Sequence, residues 1–260
     1  MKVIAADRFY TALLFLIPLI IGFIAHIAGS DYGFGKGKAT ELGVAINPYA
    51  RGSLLVLVLG SVFVGLSTGI QEIVKENQIR IREQAVGIKP ASYLLSKLLI
   101  LGLIVLMQMI VFVQIVLFAR PIPETGLLIG NSQIEITLIC VILALSAMVL
   151  GLLISSFISS TEQAMPALVG MTMIQVVLSG AMPLESGGLI DKMSVFSPSY
   201  WANNALSSSI DLVQISRITD PVQQEHWQAT SSNLINCIWI MSAFMTGFAM
   251  MSWLKVRKSR

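Results

Sequence analysis

Apolar residues in this chain fall in long unbroken runs, not in alternation and not on one stripe of a helix. Six runs, 9–29, 52–70, 98–119, 136–158, 164–184 and 233–254, contain no Asp, Glu, Lys or Arg. A helix of roughly 20 apolar residues crosses about 30 Å of hydrocarbon. Each run therefore predicts a membrane-spanning helix, and together they cover about half the chain. The two-residue alternation of a membrane barrel is missing, and helices satisfy their own backbone groups in lipid. Lys2 and Arg8 precede the first run, and Ala28-Gly29-Ser30 could pass for a cleavage site. The run exceeds the roughly 7–15 apolar residues of a secretory signal, so an uncleaved span is expected, kinked at Pro18.

The polar segments between the runs differ in character. Residues 30–51 are glycine-rich, and residues 120–135 form a short proline-marked loop. Residues 185–232 are long and partly apolar. Ser197-Pro198, followed by Tyr200, Trp201, Ala205, Leu206 and Ile210, predicts a capped amphipathic helix with proline in its first turn. Leu189, Ile190 and Trp201 suggest that this region dips into the membrane interface or caps something. The segment 71–97, QEIVKENQIRIREQAVGIKPASYLLSK, concentrates charge between the second and third runs. Glu76 and Arg80 lie four apart, a favourable helical pair. Gly87 followed by Pro90 marks a helix end, so a connecting helix is expected over 72–87. Its apolar positions Ile73, Val74, Ile79, Ile81 and Val86 need a surface. Periodicity leaves open whether that surface is lipid or a soluble partner.

Composition sharpens this picture. Hydrophobic residues make up 55 % of the 260, charged residues only 12 %, and mean hydropathy is +0.79. A soluble domain carries about 25 % charged residues, so a soluble enzyme and a disordered chain are both excluded. The expected fold is an all-α integral membrane protein of one domain over 1–260. Net charge is only +3, too little for a nucleic-acid binder. With six spans, both termini and 71–97 share one side and hold 11 of the 17 Lys and Arg. The positive-inside bias places that side in the cytoplasm of a multi-pass cell-membrane protein. Cys140 and Cys237 sit inside apolar runs, where a thiol behaves as a small hydrophobe. No metal-ligand spacing and no G-x-x-x-x-G-K-[ST] occurs, and Gly33 to Lys38 has the wrong spacing for a phosphate loop.

The segment Glu83-Gln84-Ala85-Val86-Gly87, then Tyr93-Leu94-Leu95-Ser96-Lys97, resembles the connecting helix of ABC-2 type permeases, especially the ABCG-like group. That family shows E-R-x-x-G-x-x-x-x-x-Y-x-x-S/A-K; Gln84 stands where it has Arg. Leu178-Ser179-Gly180 and Ser197-Pro198-Ser199-Tyr200-Trp201-Ala202 are similar to the family's stretch after span five. The chain looks like the membrane region of bacterial transporters in which forkhead-associated and ATPase domains precede the permease. The resemblance implies six spans, a cytoplasmic connecting helix and a long extracytoplasmic segment before the last span. It also implies a second permease half, in a homodimer or with a similar half, and an ABC ATPase, separate or normally fused, that carries ATP and Mg while this chain carries no cofactor. A family member usually has a helix before span one, where about eight residues stand here.

Carried over residue by residue, the resemblance implies coupling through Glu72, Glu76, Arg80, Glu83 and Gly87, and through Glu162 in the turn 159–163. It implies a substrate cavity between spans two and five, with Phe63, Val64 and Ser67 facing Met171, Gln175 and Leu178. Export of a lipid-like or amphipathic molecule is the expectation, and a Met-containing lining suits varied amphipathic guests. The residues alone point elsewhere in part. His26, Gln108, Gln114, Gln175 and Asn236 read mainly as groups bonding across helices. Ser61, Gly65 and Gly69, and Ala147, Gly151 and Ser155, form stripes that allow close helix approach. An intramembrane enzyme would need an acid or metal pair at depth, and no acid lies in a run. A channel, a secondary transporter and a membrane scaffold without an ATPase are the alternatives.

Overall fold

The computed structural model describes residues 8–28, 31–35, 47–76, 90–181, 188–216 and 227–258. Among them every regular element is helical. They are α1 (Arg8–Ala28), α2 (Ala50–Gly69), α3 (Glu72–Lys75), α4 (Pro90–Leu117) and α5 (Ser132–Ser155). A 3₁₀ turn (Thr161–Gln163) leads into α6 (Ala164–Val177), then α7 (Leu189–Ser194), α8 (Pro198–Ser209), α9 (Leu212–Ser216) and α10 (Ser231–Lys258). Four helices among the described residues are long and apolar enough to cross a membrane: Ala50–Lys75, Ala91–Leu117, Ser132–Ser155 and Ser231–Arg257. They correspond to the expected spans two, three, four and six.

The first and fifth runs do not reach that standard here. In α1 the described apolar stretch is Phe15–Ile27, and Pro18 interrupts its hydrogen bonding. The run ending at 184 forms a helix only to Val177. The Ser179 hydroxyl donates back to the Val176 carbonyl at 2.6 Å and accepts from the Ala181 amide, while Gly180 turns at φ = 70°. Local side-chain bonds thus replace helical ones at this point.

The helix pair α2 and α5 forms the centre. The two small-residue stripes meet there. A Cβ on Gly65 would stand 2.1 Å from the Ala144 carbonyl oxygen, and one on Gly69 would stand 2.2 Å from that of Met148. Gly151 faces the Leu66 carbonyl in the same way. Backbones this close have no room for a larger side chain, which is how small residues hold helices together without a hydrophobic driving force. Around the pair lie α1 and α4 on one side and α8 and α10 on the other. α4 runs antiparallel to α2: Phe112 packs over Gly60, Gln108 meets Thr68, and Lys97 reaches Glu72. One end of the bundle, the base, therefore holds Gly69, Pro90 and Ser155. The other, the top, holds Ala50, Leu117 and Ser132.

Two helices start a full turn or more before their apolar runs. α4 begins at Pro90, where a missing amide is harmless, and so carries Lys97 inside the helix. α5 begins at Ser132 because the Asn131 side chain accepts from the Gln133 and Ile134 amides. This draws Glu135, expected in a loop, into the bundle, where it is 1 % exposed. The expected connecting helix over 72–87 is described only as α3 and Glu76; the rest lies outside the described residues.

Candidate functional site

The base is organised by one cation. Chain direction changes after α2, and the Ser155 hydroxyl at the end of α5 accepts both the Ile73 and the Val74 amides at 3.0 Å. This supplies a partner to otherwise orphaned amides of the short α3 and docks it on the bundle. Glu72 is buried as a result. Lys97 Nζ then lies 2.7 Å from Glu72 Oε2 and 2.7 Å from Glu76 Oε1. The Tyr93 hydroxyl donates to Glu76 Oε2 at 3.1 Å. A single ammonium thus fastens the segment after α2 to the foot of α4, through charge-assisted bonds in a largely water-excluded place. Of the predicted coupling residues, the structure brings Glu72 and Glu76 together. Glu162 is exposed in the 3₁₀ turn. Arg80, Glu83 and Gly87 lie outside the described residues. Sequence reasoning left out Lys97 as a site residue, although it closes the motif that singled out Tyr93 and Gly87. Beside the exposed turn, Phe157 stands out from the bundle, with Lys255 Nζ 4.5 Å from its ring.

The second predicted set lies where α2 meets α6. Val64 is buried, and Phe63 and Ser67 are half-buried, with the Ser67 hydroxyl returned to the Val64 carbonyl at 3.0 Å. On α6, Met171 and Leu178 are half-buried and Gln175 is buried. The opposite side of α6 presents Met165, Val169, Met173 and Ile174 outward. On α2, Leu59 is exposed and Phe63 half-buried.

Gln175 also ties α6 to the segment that follows it. Its side-chain oxygen accepts from the Ser197 hydroxyl at 2.7 Å, and its carbonyl accepts from Ser199 at 2.5 Å. These bonds pin α8 into the top of the bundle. Ser197 was expected to cap this helix; its hydroxyl goes to Gln175 instead, although Pro198 does occupy the first turn. The expectation of an interfacial helix fits α7 better, where Leu189, Met193 and the following Phe196 are exposed. α8 itself is buried almost throughout. Several of its polar groups are matched, while the Ser207 hydroxyl is buried with no hydrogen-bond partner among the described residues. Asn204 accepts from the Trp227 indole at 2.8 Å, Ser208 accepts from Asn233 at 3.0 Å, and Ser209 donates to Glu135 at 2.5 Å. Glu135 also accepts the Leu128 amide at 2.8 Å. Arg51 donates to the Gly180 and Ala181 carbonyls and lies over the Trp227 ring. Burial pushes the Tyr200 phenol up from its ordinary value, against a hydrogen bond with the Asn204 side chain that lowers it.

The described residues thus include a charged joint at the base, exposed apolar side chains on α6 and a top held by hydrogen bonds. The family model for the ABC-2 type transporter matches residues 1–210. The ABC transporter ATP-binding/permease protein Rv1747 of Mycobacterium tuberculosis is 31 % identical over 237 residues, 89 % of this chain and 27 % of that protein. The chain thus spans about a quarter of the length of that relative. Buried small-residue packing, apolar spans and these matches agree: the chain belongs to the ABC-2 type transporter family, as a membrane component of an ABC transporter.

Proposed function

We propose that this chain forms the translocation pathway of an exporter for a lipid-like or amphipathic molecule. It works as one of two permease halves, as a homodimer, in the cell membrane with both termini cytoplasmic. An ABC ATPase, separate or normally fused, binds ATP and Mg and closes on the base. Glu72, Glu76, Arg80, Glu83, Gly87 and Glu162 receive that motion. The face of α2 and α6 around Phe63, Val64, Ser67, Met171, Gln175 and Leu178 lines the pathway between the halves, and rotation of the halves opens it, a population shift driven by nucleotide.

The observation that carries this reading is the Lys97 cluster. It ties the segment after α2 to the foot of α4, which supports a reading in which a push on the connecting segment reaches two spans. The test is ATPase activity of the assembled transporter in proteoliposomes, with and without an amphipathic substrate. Glu76→Lys combined with Glu83→Lys is expected to abolish substrate stimulation while membrane insertion remains. Stimulation equal to that of the unaltered protein removes the coupling role and returns the chain to the scaffold or channel class.

A further inference from the structure

α4 and α10 both pack on α5 but scarcely touch each other. Between them lies an apolar groove of about 510 Å³, away from the α2 and α6 face. Met148 and Val149 of α5 form its buried floor, Leu99, Leu103 and Leu106 one wall, and Met245 and Ala249 the other. Its width depends on Gly102, which leaves ordinary van der Waals space towards Leu145. The groove occupies the basal half of the bundle, since its floor is late in α5 and its walls are early in α4 and late in α10. Helical spacing extends the walls towards the base. Leu95, exposed, precedes Leu99 by one turn, and Trp253 and Arg257 follow Ala249 by one and two turns. Arg257 is exposed, with its guanidinium carbon 5.5 Å from the Trp253 ring centre and no carboxylate partner among the described residues.

We propose that this groove is a binding site for an anionic phospholipid of the basal leaflet, one acyl chain lying along α5 and the phosphate held by Arg257. Charge complementarity selects the occupant. From residue 233 to the end the chain carries Lys255, Arg257, Lys258 and Arg260 and no Asp or Glu. Trp253 and Arg257 stand where a tryptophan and a cation meet lipid headgroups. A guanidinium matches a phosphate's paired oxygens. The groove walls have almost no polar atoms, which suits a hydrocarbon chain and excludes a free phosphate as the occupant. Under the proposed topology the basal leaflet is the cytoplasmic one, where anionic lipids concentrate. The inference does not depend on the ATPase coupling, and the lipid here is a resident, not the exported cargo.

Native mass spectrometry of the detergent-purified full chain, titrated with dioleoyl-phosphatidylglycerol or dioleoyl-phosphatidylcholine, tests the site. The expected result is one retained phosphatidylglycerol per chain, favoured about fivefold over phosphatidylcholine, the factor that one interfacial Arg supplies. Arg257→Gln, an exposed change, is expected to abolish that preference. Gly102→Leu, which fills the groove, is expected to lower retention of both lipids, and Thr246→Trp on the exposed rim does the same should Gly102→Leu fail to fold. Equal retention of the two lipids by the unaltered chain, or an undiminished preference in Arg257→Gln, overturns the headgroup assignment. Unchanged retention in a folded groove-filling variant overturns the groove.

Discussion

The base and the top of this bundle are both closed by polar groups, yet they are built oppositely. At the base, one ammonium between two carboxylates and a tyrosine holds the segment after α2 to α4. At the top, α8 is fixed by single hydrogen bonds spread over α5, α6, α10 and Trp227. The base concentrates its interaction in one full positive charge, whose loss leaves two carboxylates facing each other. The top distributes it over groups of modest individual worth. A concentrated joint has two discrete states, made or broken, which suits a place where force arrives. A distributed one yields little when any single bond is lost, which suits a frame.

The largest expected effect comes from breaking the concentrated end. Lys97→Met leaves the buried Glu72 and the half-buried Glu76 without their cation, a change that costs about 3–5 kcal/mol. Thermal unfolding in detergent, followed by circular dichroism, reads it. The combination Lys97→Met with Glu72→Gln and Glu76→Gln removes the charges as well and is expected to recover most of the loss, since neutral replacements of buried ion clusters are often well tolerated. A triple variant as unstable as the single one would mean that Lys97 acts through packing of its stem.

A smaller loss is expected at the top. Glu135→Ala strands the buried Ser209 hydroxyl and also takes the acceptor from the part-buried Leu128 amide. Leaving such groups unsatisfied costs about 1–3 kcal/mol. The same melting measurement compares it with Lys97→Met, and the order of the two is the prediction. Equal losses would make Glu135 a second concentrated joint and erase the contrast between the ends.

How much of this was legible in the sequence follows the same physics. The runs behind α2, α4, α5 and α10 were legible because length and absence of charge suffice to define a span. The end of α6 was not, because the Ser179 hydroxyl and Gly180 stop the helix by local bonding while the residues themselves remain apolar. Glu135 was placed in a loop because a charge closes any apolar window. The signal that could have corrected this is Asn131, a helix-capping residue just upstream. α8 was legible as a helix with proline in its first turn, but not as a buried one, for the reverse reason. PSYWANNALSSS looks like surface, and only the partners of Ser197, Ser199, Asn204, Ser208 and Ser209 make it a core element. At the candidate site, Glu72 and Glu76 came from the resemblance. Lys97 was in the same motif but read as the lead-in to a span, because nothing in a linear sequence says that α3 folds back onto the foot of α4.

The smallest expected effect tests the distributed end most directly. The Ser197 hydroxyl lies 2.7 Å from Gln175 Oε1 and 2.6 Å from the Ser199 hydroxyl, while Ser199 separately donates to the Gln175 carbonyl. Ser197→Ala therefore removes one tie to α6, together with the Ser197–Ser199 contact, and leaves α8 still tied to α6 by Ser199. Interhelical hydrogen bonds in membranes average about 0.6 kcal/mol, so a loss of about that size is expected in the melting assay. Ser197→Ala with Ser199→Ala severs both ties and is expected to cost more than the sum of the two single changes, because neighbours in one network are not additive. A double variant that equals that sum would make the two serines independent contacts. A single Ser197→Ala that costs as much as Lys97→Met would show that the top, like the base, hangs on one residue.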